Sequence, residues 1–209
     1  MKKLLLLVVL CITFTARAEE RSILVLGDSL SAGYGIAVQN GWVALLQQRL
    51  QGEGYNYRVI NASISGDTSR GARSRLGELL REQQPDLAIV ELGGNDGLRG
   101  IQIEEMRVNL GAIVEQLLLG GSRVLLVPMQ LPPNYGPVYL DRFTSVYREI
   151  AMEHGIRLSR FILADIADNP ELMQEDGIHP QAAAQTAMLE NLWPDIVHLL
   201  QPRLSRPGD

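Results

Sequence analysis

From Ser22 onward the chain alternates short, unbroken apolar runs with longer amphipathic ones, and this alternation limits the fold more than any other feature. The short runs cover 23–27, 58–62, 87–92, 124–129 and, less distinctly, 157–162. Each is continuous rather than alternating polar with apolar, as expected of strands buried on both faces. Between them lie helical patterns. "GWVALLQQRLQGEG" spaces Val43, Leu46 and Leu50 at helical intervals, and "SRGARSRLGELLREQQ" carries Leu76, Leu79 and Leu80 before Pro85. "EEMRVNLGAIVEQLLLGG" opens with acids and closes with glycines, which are helix start and stop signals. "VYLDRFTSVYREIAMEHG" and "PQAAAQTAMLENLWPDIVHLL" complete the set. Strand, helix, strand repeated along a chain means parallel pairing through right-handed crossovers. The expected fold is therefore α/β: a three-layer α/β/α, flavodoxin-like, five-stranded parallel sheet of order 2-1-3-4-5. In such sheets the functional residues gather at the carboxyl ends of the strands.

The ends of the chain read differently. Lys2 and Lys3 precede a mostly apolar stretch at 4–14, too short to span a bilayer, and Ala16-Arg17-Ala18 follows with small residues where a signal peptidase reads. The expectation is a secretory signal over 1–18, a single domain over 19–209 and a frayed tail at about 203–209. Cys11, the only cysteine, falls in that leader behind Leu10, which argues against lipidation. The mature chain would then lack thiols, which excludes thiol catalysis and cysteine-ligated metals. It would carry 16 basic against 24 acidic residues. That balance opposes a nucleic-acid partner and broad adhesion to anionic membranes, and no second apolar stretch approaches spanning length. Export to the periplasm, action as a monomer, and no metal or other cofactor are expected.

Applying the strand-end rule gives four polar, glycine-containing loops: Gly27-Asp28-Ser29, "NASISGDTSRG", Gly93-Gly94-Asn95-Asp96, and Asp176-Gly177-Ile178-His179-Pro180 before the last helix. A serine hydroxyl needs a base to take its proton. Of three histidines, His154 ends a helix and His198 lies on the solvated face of the last one, whereas His179 sits in a short loop three residues after a carboxylate. That spacing lets Asp176 hold the imidazole Nδ1–H and leaves Nε2 for Ser29. The backbone N–H groups of Ser29 and Gly66 and the side-chain amide of Asn95 are candidate donors to an oxyanion. Simple turns are the alternatives at Gly66 and at Asn95-Asp96-Gly97, and a turn or cap acid is the alternative at Asp176.

In order, "GDSLSAGYG", the glycine of "NASISGDTSRG", "GGND" and "DGIHP" resemble the four blocks of the SGNH hydrolases, also called the GDSL family, from residue 22 nearly to the end of the chain. The resemblance implies Ser29 as nucleophile, His179 as base and Asp176 as its orienting acid. It implies an oxyanion hole of Ser29, Gly66 and Asn95, and a supporting role for Asp28 in the serine loop. It further implies that the proline-rich segment "MQLPPNYGPVYLDRF", with Pro132, Asn134 and Tyr135, contributes to acyl-chain binding. The expected substrates are aryl esters, acyl-CoA-like thioesters and lysophospholipids, because shallow apolar grooves discriminate chain length weakly. Three alternatives stay open on sequence alone: an esterase for acetylated polysaccharide, a phosphate- or nucleotide-binding flavodoxin-like protein, and a divalent metal held by Asp28, Asp96 and Asp176.

Overall fold

The computed structural model describes residues 21–200. The expected leader at 1–18 and tail at 203–209 lie outside them. Five parallel strands form one sheet: β1 (Arg21–Gly27), β2 (Tyr57–Asn61), β3 (Leu87–Glu91), β4 (Arg123–Val127) and β5 (Arg157–Leu158), in the order β2-β1-β3-β4-β5. The α-helices among the described residues are α1 (Ser29–Ala32), α2 (Trp42–Gly52), α3 (Ser69–Gln83), α4 (Gly94–Leu98), α5 (Ile103–Leu119), α6 (Pro137–His154) and α7 (Gln185–Leu200). On one face α3 packs on α5 and α5 on α6; on the other, α2 packs on α7. This is the three-layer α/β/α arrangement expected from the alternating pattern.

The central strands bury nearly every side chain, since a crossover helix covers each face: β1 from Ser22 to Gly27, all of β3, and β4 from Val124 to Val127. Two strand expectations are corrected. β2 is an edge strand and leaves Arg58 and Asn61 exposed, so it is not buried on both faces. β5 is only two residues long rather than the whole of 157–162. Ser159 N–H still donates to the Leu126 carbonyl, but the chain then folds into turns, with Asp165 at φ +63°. Ile162, Leu163 and Ile166 nonetheless enter the core, so their apolar character reflects core filling from turns and not strand pairing.

Candidate active site

Gly27 and Glu91 are register partners at the ends of the adjacent strands β1 and β3. The chains therefore leave the sheet side by side, one into Asp28-Ser29 and the other into Leu92-Gly93-Gly94-Asn95. A Cβ at Gly27 would lie 2.7 Å from both Glu91 Oε2 and Ser31 Oγ, so only glycine permits this approach. Asp28 then caps α1, its Oδ1 accepting from Leu30 N–H at 3.1 Å. Ser29 is the first residue of that helical turn, half-buried just past the carboxyl end of β1.

Across 150 positions of sequence, His179 Nε2 stands 2.8 Å from Ser29 Oγ, and His179 Nδ1 stands 2.6 Å from Asp176 Oδ2. The other oxygen of Asp176 accepts the backbone N–H groups of Ile178 and His179, each at 2.9 Å. Burial works to raise the Asp176 carboxyl, but the N–H of His179, the His179 ring and the N–H of Ile178 outweigh it and hold the pKa down at about 2. Asp176 is thus an anion with both oxygens committed to the same loop. That loop is clasped from two sides. Met173 and Pro180 form an antiparallel bridge, and Gln174 N–H donates to the His179 carbonyl at 2.7 Å. The Gln174 side chain reaches Tyr34 O at 2.8 Å and Pro180 O at 3.1 Å, fastening the histidine loop to the serine loop. The Tyr34 ring lies against the imidazole, centroids 4.4 Å apart.

Gly66 takes φ +78° in a turn closed by Asp67 N–H on the Ile64 carbonyl at 3.0 Å. The turn alternative is therefore correct as geometry and leaves the Gly66 N–H free for a second role. The β-turn alternative at 95–97 gives way to the short helix α4, with Gly93 preceding it at φ +108°. Asn95 Nδ2 donates one hydrogen to Asp28 Oδ2 at 2.9 Å, which leaves its second hydrogen for another acceptor.

Beneath these groups lies a buried carboxyl pair. Glu91 is fully buried; its Oε2 accepts from Ser31 Oγ at 2.7 Å and from Asp28 N–H at 3.3 Å, and its Oε1 has no partner. Burial first, and then the charge of Asp28, push the Glu91 pKa well above the ordinary range; burial also raises Asp28, to about 6. Glu91 is thus the more readily protonated of the pair. A raised pKa adds stability below the ordinary value of 4.5 and loses it as pH climbs toward the folded-state value. Glu91→Gln removes that slope. The variant is expected to gain on the parent by up to about 1.4 kcal/mol per pH unit as pH rises above the ordinary value of 4.5, read from urea midpoints. Parallel curves for the two proteins would show that Glu91 is ionised in the fold.

Other sequence candidates fall as follows. Pro132 and Asn134 are exposed, and half-buried Tyr135 donates its hydroxyl to the Leu98 carbonyl at 3.3 Å, setting the proline-rich segment beside α4. The three acids of the metal alternative serve separate donors: Asp28 holds Leu30 and Asn95, Asp96 holds Ser69, and Asp176 holds His179. Among the described residues no group of three or more His, Cys, Asp and Glu is gathered where it could hold one ion. His154 ends α6, and His198 is exposed on α7. Sequence reasoning missed Glu91, Ser31, Tyr34 and Gln174. The first carried a signal, a lone charge inside the apolar run "LAIVE". The others are a buried serine of α1 and two residues in loops, which only the fold brings together.

Comparison with known proteins gives a consistent set of likenesses. The model of the GDSL-like Lipase/Acylhydrolase family matches residues 25–187. Esterase TesA of Pseudomonas aeruginosa is 48% identical over 90% of this chain and 94% of its own. The thioesterase 1/protease 1/lysophospholipase L1 of Escherichia coli K12 is 42% identical over 83% of this chain and 82% of its own. Among solved structures, the psychrotrophic esterase EstA of Pseudoalteromonas sp., inhibited by monoethylphosphonate, superposes with a TM-score of 0.83 at 41% identity, covering 86% of this chain and 98% of that one.

Proposed function

The chain belongs to the GDSL-like lipase/acylhydrolase family, and from that premise we propose that it hydrolyses carboxylic esters and thioesters through a covalent acyl-enzyme on Ser29. Aryl esters, acyl-CoA-type thioesters and lysophospholipids are its substrates, and it works as a monomer in the periplasm, an assignment supported by the leader pattern at 1–18. The observation that carries the chemistry is the unbroken line Ser29 Oγ, His179 Nε2, His179 Nδ1, Asp176 Oδ2, at 2.8 and 2.6 Å.

His179 Nε2 takes the Ser29 proton as Oγ attacks the acyl carbon, and the imidazolium that forms is stabilised by the Asp176 carboxylate. Negative charge builds on the carbonyl oxygen, where the N–H groups of Ser29 and Gly66 and the free amide hydrogen of Asn95 receive it. Asp28 keeps that amide turned the right way: as an anion it can only accept, so the nitrogen of Asn95 must face it. His179 then returns the proton to the leaving alcohol or thiol. Water repeats the sequence on the acyl-enzyme and frees the acid. Pro132, Asn134 and Tyr135 form a wall for the acyl group on the α4 side, supported by the Tyr135–Leu98 hydrogen bond.

A fluorophosphonate tests this directly. One adduct per chain is expected, mapped by mass spectrometry to the peptide that contains Ser29, with loss of hydrolysis in proportion to labelling. Modification elsewhere, or hydrolysis that survives full labelling, would remove the proposal. A panel of p-nitrophenyl esters from acetate to palmitate, with an acyl-CoA, a lysophospholipid and an acetylated sugar, ranks the substrates. Turnover confined to the acetylated sugar would favour a polysaccharide O-acetyl esterase.

A further inference from the structure

The two oxyanion donors outside the serine loop come from segments that the sheet does not join. Gly66 follows β2 and Asn95 follows β3, but β1 lies between those strands. Those strands share no direct hydrogen bond, and the backbone links the two segments only through β1, where Ile64 N–H donates to the Gly27 carbonyl at 3.1 Å, although an oxyanion site depends on their separation. A buried side-chain contact spans the gap. Ser69 N–H donates to Asp96 Oδ2 at 2.9 Å, and Ser69 Oγ donates to Asp96 Oδ1 at 2.5 Å. Ser69 is 0% exposed and Asp96 1%. Asp96 adjoins Asn95, and Ser69 lies three residues after Gly66. A second tie crosses at the surface, from the Arg99 guanidinium to the Gly66 carbonyl at 2.8 Å.

Helix capping does not account for this carboxylate. Thr68 already caps α3, its Oγ1 accepting from Gly71 N–H at 3.2 Å. Taking a carboxylate out of water is costly, and burial raises Asp96 above its ordinary range despite the two bonds from Ser69. A charge-assisted, two-point contact restricts geometry more tightly than an apolar contact of the same size. We propose that Asp96 is a positioning residue: by gripping Ser69 it sets the Gly66 N–H against the Asn95 amide at the spacing the oxyanion requires. The inference rests on the reading of Gly66 and Asn95 as oxyanion donors.

The test is a set of variants measured for kcat and KM on one p-nitrophenyl ester, with thermal midpoints recorded alongside. Asp96→Ala is expected to lower kcat by about 10- to 100-fold, the scale of a misplaced catalytic group, with KM little changed. Ser69→Ala, which keeps the N–H bond, is expected to lose less. Asp96→Asn is expected to recover most of the loss, because its Oδ1 can accept from Ser69 N–H while its Nδ2 donates to a reversed Ser69 hydroxyl. Asn95→Ala alone is expected to cost about 10²–10³ in kcat. The double variant with Asp96→Ala should fall short of the product of the two single losses by at least about threefold, beyond the error of additivity for independent sites. Losses that multiply, a loss confined to KM, or an Asp96→Asn variant as poor as Asp96→Ala would each overturn the clamp. Full activity in Asn95→Ala would overturn the oxyanion reading and the clamp with it, so the two failures are told apart.

Discussion

Ser29→Ala is expected to lower kcat for p-nitrophenyl esters by about 10⁵–10⁶, with KM nearly unchanged and no loss of thermal stability. In the proposed reaction the hydroxyl supplies the atom that bonds to the acyl carbon, and it stands 2.8 Å from His179 Nε2, within reach of the base. The proposed oxyanion donors survive the change, so a residual rate above that in water is expected to remain. His179→Ala is expected to cost about as much, and Ser29→Ala combined with His179→Ala little more than either alone, because neither group acts without the other. Parallel measurements of the three variants check this. A Ser29→Ala enzyme within tenfold of the parent, or a double variant whose loss is the product of the single losses, would show that the hydroxyl and the imidazole do not work as one unit.

The second large effect lies at Asp176. Asp176→Asn is expected to lower kcat by about 10⁴ with the fold intact, as for the equivalent change in other serine triads. The carboxylate accepts from three donors: the N–H groups of Ile178 and His179 on Oδ1, and Nδ1–H of the imidazole on Oδ2. An asparagine oxygen can replace Oδ1, but its NH₂ then faces Nδ1 and forces that nitrogen to accept. The ring proton moves to Nε2, which donates to Ser29 and cannot take its proton. The pH dependence follows from the lowered pKa. Asp176 contributes stability above the ordinary carboxylate value of 3.8 and loses it only as pH falls through about 2. Its titration therefore makes no acid limb in a rate profile taken above about pH 4. A ring proton on Nε2 in the variant, seen by nitrogen NMR, is the structural readout. A variant within tenfold of the parent would mean that the tautomer is set elsewhere.

The fold was legible because one pattern carried it. Unbroken apolar runs between amphipathic ones admit few topologies once handedness is imposed, and the order 2-1-3-4-5 is among them. The misreadings at β2 and β5 share a cause. An apolar run reports burial, and burial does not say whether the segment is a central strand, an edge strand or a turn tucked under a helix, as Ile162 and Ile166 are. At the site, residues named by their own chemistry were found: the hydroxyl, the imidazole, the carboxylate and the amide. The supporting residues were not. Ser31 and Ser69 look like ordinary turn or helix-start residues until Glu91 and Asp96 are seen opposite them, 60 and 27 positions away. Only the packed structure pairs such residues, since each alone is compatible with many surroundings.

The long separation between hydroxyl and imidazole has a consequence for how the enzyme comes into being. Everything up to α4, Ser29 included, is synthesised before His179 leaves the ribosome. Competence to cut an ester thus arrives with the closing stretch of polypeptide, when Gln174 latches onto the carbonyl of Tyr34. Appearance of turnover during refolding is a clock for that final docking step, and a chain cut short before it is chemically silent.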